Sequence, residues 1–496
     1  MEKVFDRIDR NLLMFRLLQF NIDGKMYKAI QNLYWYTESC IRVNDMLSEW
    51  FPVCYGVRQG DNLSPTLFSL FANDLAIEIK NMNLGLKVGN RLVSILLYAD
   101  DMVLISPREI DLQRMLNKMA EWCHKWRLKV NESKSKIVHF RSNRQKRTNF
   151  KFQYGPHFMD KVPDYKYLGI FLDEFMNLEK CSKTLADSGG RALGAVWSKF
   201  KLMKDVGIKT YTKMYDSGVV PILDYGSGVW SFLGKNKSQL IQNKAIRYFL
   251  GVHSFAALSA IQGDMGWLNC KFRQQLNVIR FWNRLIDMPD SRLTKHIFTI
   301  EYDSVKTRGS TVKNWFTHIR NTLDSIGLKH FFDNRTKCDM EDCKSRLLQL
   351  NSNEWTVEAM LKPKLRQYVN FKTEFTMEPY VSTVRNKYYR SLIAKLRCGI
   401  LQLHVESGRF NQTPLQDRIC QICNNGQIED VIHFICTCTS YHDERKLFYN
   451  NLSNIDPTFM NMSVEEKFRC IMSHTGYQLA KFIHIIWNKR NNMLYT

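Results

Sequence analysis

An α/β region followed by a mainly helical one, with a small Cys/His module near its end, is the fold class this sequence predicts. Three observations carry that expectation. Residues 93–105, VSILLYADDMVLI, are two short apolar runs flanking an Asp-Asp pair, the pattern of a tight hairpin with buried strands. From about residue 174 onward the helical period dominates. Cys420, Cys423, His433 and Cys438 then fall at a spacing that suits a metal ion.

Taken in order, residues 7–36 carry apolar positions at helical spacing, with Leu13, Leu17 and Phe20 on one stripe and Leu12 and Phe15 beside it. Asp61–Asn62 make a turn, and Ser64–Pro65 open a helix whose buried face is Leu67, Phe68, Leu70, Phe71 and Leu75. After the 93–105 hairpin comes an amphipathic helix with Leu112, Met115, Leu116, Met119, Trp122, Cys123 and Trp126 on one side. Lys136 to Phe140 and Tyr167 to Leu172 read as strands. Pro221, Gly226 and Gly228 break the helical pattern around 218–230. The stretch 303–380 is polar and charged with little to organise it, so helices and a mobile connection are expected there. A second compact region begins near 385 and contains the Cys/His cluster.

The chain has 496 residues, a length that calls for about two to four domains. Lys plus Arg number 71 against 48 Asp plus Glu, a net charge of +23. Charge of that size repels itself unless an anion is near, which makes nucleic acid the first partner to consider. The N-terminus MEKVFDRIDR has no apolar core of a signal peptide, and no run of about eighteen apolar residues exists, so neither secretion nor a membrane span is expected. Thirteen scattered Cys fit a reducing compartment, cytosol or nucleus.

Two features carry chemistry. Tyr98-Ala99-Asp100-Asp101 places two carboxylates at a hairpin tip. Nucleotidyl transfer uses two Mg²⁺ ions about 4 Å apart held by carboxylate oxygens, and two adjacent acids need a third from a neighbouring strand. Taken alone, the pair reads more readily as an acidic turn with no role. In GVRQGDNLSPTLF (56–68), Gly56 and Gly60 allow close backbone approach to a ligand, with Arg58 and Gln59 between them as donors. The Ser64–Pro65 helix start offers N–H groups to an anion. In the Cys/His cluster, Cys436 competes with Cys438 for the fourth place around a tetrahedral Zn²⁺. Arg385, Lys387, Arg390, Lys395, Arg397, Arg409 and Arg418 lie upstream as a phosphate-facing set, with Tyr388 and Tyr389 available for stacking.

The order GVRQGD-LSP-LF, then YADD, then N-x-x-K-S-K (Asn131–Lys136), then YKYLG (Tyr165–Gly169) resembles motifs B, C, D and E of LINE-type (non-LTR) retrotransposon reverse transcriptases. PILDYGSGVW (221–230), QNKAIRYFLG (242–251), RFWNRLIDMPDSRL (280–293), the stretch around 396–410 and the Cys/His cluster extend the resemblance over most of the chain. It implies an RNA-directed DNA polymerase on the palm of a right-hand fold, with RNA template and DNA primer or target as partners. Asp100 and Asp101 would be the metal-binding catalytic acids. Gln59 would contact the incoming nucleotide or templating base, shaped by Arg58 and Gly60. Lys134 would sit near the pyrophosphate as a general acid. Tyr165, Lys166, Tyr167, Leu168 and Gly169 would form the primer grip. The cluster would be a zinc module with Cys438 as fourth ligand. The implied division is a partial palm at 1–173, a helical thumb at 174–275, a helical connector at 276–384 and a basic C-terminal region with the zinc module at 385–496.

The sequence departs from the family at its start. The family's motif A reads D-x-x-K-A-F-D, and its first Asp is the third catalytic acid. Here M-E-K-V-F-D matches only the later part, in Lys3, Phe5 and Asp6. Phe5 falls at the steric-gate position, and Asp6 lies about 9 Å of helical rise too far on to replace the missing acid. The expectation is an N-terminally truncated palm without fingers and negligible polymerase activity for this chain. The competing readings are a non-catalytic nucleic-acid-binding protein built on a decayed reverse transcriptase, and a decayed copy that does not fold stably.

Overall fold

The computed structural model describes residues 4–203, 205–232, 237–308, 314–474 and 476–495; Lys3 lies outside them. The chain forms two compact units, Met1–Asn177 and Leu178–Thr496.

The first unit is α/β. Its apolar stripe at 7–36 is split into helices Arg10–Gln19 and Gly24–Trp35, because Asn21 and Gly24 adopt left-handed backbone at φ 56° each. Leu13 and Leu17 are fully buried, whereas Phe15 points to solvent. The Ser64–Asn81 helix starts at the predicted Ser-Pro and buries Leu67, Phe68, Phe71 and Leu75. The Glu109–Lys125 helix buries Met115, Leu116, Met119, Trp122 and Cys123, and Phe71 meets Trp126 edge-on at 5.4 Å between ring centroids. The two helices therefore share one core.

The strands are short. Ile95–Tyr98 pairs with Asp101–Leu104, Tyr98 opposite Asp101, as a two-stranded ribbon. The expectation of buried strands is corrected. Leu96 and Leu97 are over a third exposed and Tyr98 is 65 % exposed. The reason is that the ribbon gains cover on one side only. Ile95, Met102 and Leu104 pack on the helical core, and among the described residues no third strand pairs alongside. Asp164–Tyr167 pairs with Ile170–Asp173 through a two-residue turn, with Leu168 at φ 46° and Gly169 at φ 85°, as a mirror-image hairpin turn demands. Tyr167 to Leu172 is thus a hairpin corner rather than one strand. Lys136–Phe140 is not a strand either, since only Ile137 bridges, to Lys161.

The second unit is helical. Gly226, at φ 64°, ends the interruption expected around 218–230 and leads into the Ser227–Trp230 turn of helix. The stretch 303–380 is better organised than expected. Phe316, Ile319, Leu323, Cys343 and Leu347 sit at helical spacing on the Trp315–Ser325 and Met340–Met360 helices and share a core with Trp282 and Phe298. A larger core runs from Phe200 through Trp355 and Leu392 to Ile486, so stretches far apart in the sequence of the second unit pack together.

A charged knot lies inside that core. Asp264, with a fully buried side chain, accepts from Tyr368 Oη (2.9 Å), Tyr380 Oη (2.8 Å) and two nitrogens of Arg397 (2.9 Å each). Arg397 also reaches Glu378 at 2.8 Å and donates to the Met472 carbonyl at 2.7 Å. Arg390 is likewise buried and donates to the carbonyls of Phe249, Val384 and Arg385. The expected phosphate-facing set is therefore corrected. Arg390 and Arg397 are internal struts, because a buried guanidinium must spend its donors on protein acceptors. Arg418 is also committed, donating to the Thr413 and Val405 carbonyls.

Candidate functional site

The Asp-Asp tip is held by a strained turn. Ala99 sits at φ 51°, a region in which glycine or asparagine is far more at ease. Asp101 is exposed, and its charge raises the pKa of the Tyr167 hydroxyl, a shift due first to burial and second to Asp101. The Tyr167 hydroxyl of the Tyr165–Gly169 hairpin therefore lies within electrostatic reach of the acidic tip.

That hairpin also meets the Asn131–Lys136 segment. Asn131 Oδ1 accepts from the Lys134 backbone N–H at 3.0 Å and shapes the turn. The Tyr165 hydroxyl donates to the Lys134 carbonyl at 2.8 Å. Lys134, Lys136, Tyr165, Lys166 and Phe171 line an open groove of about 330 Å³. The Lys134 side chain is exposed at its rim.

The 56–60 loop is built from far along the chain. Gly56, at φ 82°, gives its N–H to the Ile8 carbonyl at 2.8 Å, and Val57 gives its own to Phe5 at 2.7 Å. A Cβ at Gly56 would fall 2.6 Å from the Phe5 carbonyl oxygen, so this glycine permits close approach of the protein's own backbone and not of a ligand. Gly60, at φ 85°, faces open space. The Arg58 guanidinium donates to the Leu33 carbonyl at 2.8 Å, which makes it a brace of the loop. Gln59 Nε2 donates to Asp6 Oδ1 at 2.8 Å, and Phe5 packs on Phe68 with ring centroids 5.2 Å apart. Spacing gave no hint of a further brace. Buried Arg10 donates to the Gly56 carbonyl at 2.9 Å, 46 residues away.

Among the described residues, no third His, Cys, Asp or Glu joins Asp100 and Asp101 in a metal-sized set. Asp6 does not supply it and is engaged with Gln59 instead. The tip has the chemistry to bind a divalent cation on one side and lacks the remainder of a two-metal cage.

The Cys/His set is complete. The ligating atoms of Cys420, Cys423, His433 and Cys438 all lie within 4.8 Å of one another, and among the described residues this is the only such group. Cys423 Sγ lies 3.4 Å from His433 Nε2. His433 Nδ1 faces Thr437 Oγ1 at 3.1 Å, which leaves Nε2 toward the thiols. Cys436, the rival fourth ligand, lies outside this set, and burial pushes its thiol up to about 11. Arg445 donates to the carbonyls of Ile435 and Cys438 and ties this return segment to the following helix. The four side chains have the geometry to hold a metal ion.

Residues 1–172 match the family described as reverse transcriptase (RNA-dependent DNA polymerase). The match spans nearly the whole first unit, and the reverse transcriptase family it names implies a polymerase palm fold. The chain is 25 % identical over 294 residues to the probable RNA-directed DNA polymerase from transposon BS of Drosophila melanogaster, covering 58 % of this chain and 32 % of that protein. It is 23 % identical over 273 residues to the RNA-directed DNA polymerase from mobile element jockey of the same species, covering 53 % and 29 %. It is 29 % identical over 175 residues to the Pol polyprotein of the type-2 retrotransposable element of that species, covering 34 % and 16 %. The chain is thus related to the RNA-directed DNA polymerases of non-LTR retrotransposons, and it spans less than a third of the length of these relatives.

Proposed function

We propose that these 496 residues form the palm and C-terminal part of a non-LTR retrotransposon reverse transcriptase, which copies RNA into DNA by nucleotidyl transfer. The observation that carries the reading is the Asp100–Asp101 tip of the Ile95–Leu104 ribbon, with Asp101 exposed and the Tyr167 hydroxyl within its electrostatic reach, inside a domain that matches reverse transcriptases. Two Mg²⁺ ions, when bound, would activate the primer 3′-hydroxyl and neutralise the departing pyrophosphate. Asp100 and Asp101 would hold them. The Lys134–Lys166 groove would take the primer backbone, its two ammonium groups answering phosphate charge. Gln59, braced by Asp6, would meet the incoming nucleotide or templating base, and Phe5 would stand at its sugar. Lys134, exposed at the groove's rim, would donate a proton to the leaving group.

The third carboxylate is not found among the described residues, so this chain alone is proposed to bind primer–template without extending it. Positional losses of this kind commonly cost 10²-fold or more. Four residues, Cys420, Cys423, His433 and Cys438, are proposed to hold a structural Zn²⁺. No helix among the described residues is long and apolar enough to cross a membrane, and the nucleus or cytoplasm is the proposed place of action.

The test is iron-directed cleavage. Fe²⁺ with ascorbate, in the presence of a DNA primer on an RNA template and dNTPs, should cut the chain near 98–102 and 165–169. Asp100→Ala with Asp101→Ala should abolish those cuts. Cleavage unchanged in that variant refutes the metal site, and primer extension by the unaltered 496-residue chain refutes its inactivity.

A further inference from the structure

The charge of the second unit is not evenly spread. From Pro379 to Val405 and from Lys467 to Thr496 the sequence holds no Asp or Glu, with five Lys or Arg in each segment. The fold packs these two segments together, as the Lys387–Arg397 helix lies against the Tyr477–Tyr495 helix. Arg390, Arg397 and Arg490 are consumed inside. Arg385 and Lys481 remain exposed, and Lys387 is half-buried.

Aromatic rings lie between these cations. On the C-terminal helix, Tyr477, Lys481, His484 and Asn488 recur at helical spacing along one stripe. Tyr388, half exposed, meets the His484 ring edge-on at 5.4 Å and hydrogen-bonds its Nδ1 at 2.9 Å. Tyr389 stands edge-on to Tyr477 at 5.2 Å, and Lys481 Nζ lies 5.0 Å from the Tyr477 ring. In the other direction Lys387 Nζ lies 4.3 Å over Trp197, which stacks on Tyr248 at 4.3 Å, and Lys244 lies 5.6 Å over Tyr248. The result is a track of alternating rings and cations over four helices. Burial lowers the pKa of Lys387, and repulsion from Arg390 and Lys201 adds to it, which is the situation an incoming anion relieves. Among the described residues, Asp205 engages this track, accepting from the Lys387 backbone N–H and from Asn386.

We propose that this track, within the second unit, is a further nucleic-acid surface, which binds single-stranded RNA by stacking bases on Tyr388 and Tyr477 while Arg385, Lys387 and Lys481 take the phosphates. Half-exposed rings beside ammonium groups are what a sequence-tolerant single strand uses, whereas a duplex hides its base faces. That the strand is RNA rather than DNA rests on the proposed polymerase function. The track itself rests only on its own geometry.

The test uses the full chain, a mixed-sequence 20-nucleotide RNA carrying 4-thiouridine, the matching DNA single strand and the RNA duplex. Photocrosslinks are mapped by mass spectrometry and affinities are read by fluorescence anisotropy. Crosslinks at Tyr388 or Tyr477, and RNA binding that weakens about fivefold to a hundredfold per ring in Tyr388→Ala and Tyr477→Ala, are expected. Lys481→Glu, a surface change that leaves the core alone, should weaken binding at 50 mM salt more than at 300 mM. A palm variant, Lys134→Ala with Lys166→Ala, should leave the crosslinks at the track intact. Loss of the track crosslinks in that palm variant would assign them to the polymerase groove. Equal binding by wild type and both tyrosine variants, or binding of the duplex as tight as the single strand, overturns the proposal. Tighter binding of the DNA strand overturns the RNA assignment.

Discussion

Replacing Cys423 by Ser together with His433 by Ala removes two of four metal ligands and should take bound zinc from about one ion per chain to none. The magnitude follows from the geometry. A tetrahedral Zn²⁺ with Zn–S near 2.3 Å and Zn–N near 2.1 Å holds sulfur and nitrogen about 3.6 Å apart and two sulfurs about 3.8 Å apart. The Cys423–His433 separation is 3.4 Å and no ligand pair exceeds 4.8 Å, so closure around an ion takes movements of about an ångström or less. Apparent binding energies for structural zinc reach roughly 10–16 kcal/mol in peptides that fold only with metal. The gain in stability is smaller here, because Phe434 and Ile435 within the return segment are already anchored in the large core. The expected consequence is a chain that still folds but loses protection locally, over residues 415–441. Zinc by elemental analysis and hydrogen exchange of that segment, with and without chelator, give the readouts. A wild-type chain that purifies folded, free of metal, and takes up no Zn²⁺ on titration would sink the argument.

Further outcomes follow from single residues. Arg397→Met strands Asp264 and Glu378 in the core and should cost about 3–5 kcal/mol, seen as a fall of roughly five to eight degrees in the melting of the helical unit; a shift under about two degrees contradicts the knot. Burial lowers the pKa of His318, whose Nε2 is buried without a partner among the described residues. The folded state thus keeps His318 neutral while the unfolded chain protonates below its ordinary 6.5, so this contribution to stability is whole above pH 6.5 and is lost as pH falls, by at most about 1.4 kcal/mol per unit. Urea titrations from pH 7.5 to 5.5 should show a shallower loss in His318→Phe, and equal slopes would refute it. Gly56→Ala should destabilise the first unit by about 2–4 kcal/mol, since Cβ and carbonyl collide, while Gly60→Ala costs only about 1 kcal/mol of backbone strain; equal losses in denaturant midpoint would show the close approach to be incidental.

Much was legible before any coordinates, wherever the signal is short-range. The turn chemistry of Tyr165–Gly169, the Ser-Pro helix start, the Asp100–Asp101 tip and the two-plus-two ligand spacing are local patterns, and backbone sterics or periodicity over a few residues determine them. The order of four such patterns also carried the family. What tertiary structure alone decided depends on partners distant in sequence. Arg390 and Arg397 read as surface cations until Phe249 and Asp264, over 130 residues away, were seen to bury them. Cys438 and Cys436 are equivalent by spacing, and the direction of the chain after His433 chose between them. Gly56 looked ligand-facing because nothing nearby in sequence reveals Phe5 behind it. The basic aromatic track exists only because packing joins two acid-free segments that lie some sixty residues apart. Spacing along a chain specifies which way a side chain leaves its own helix or strand. What it then meets depends on loop closures that local preferences do not encode, and there burial, charge and function were settled.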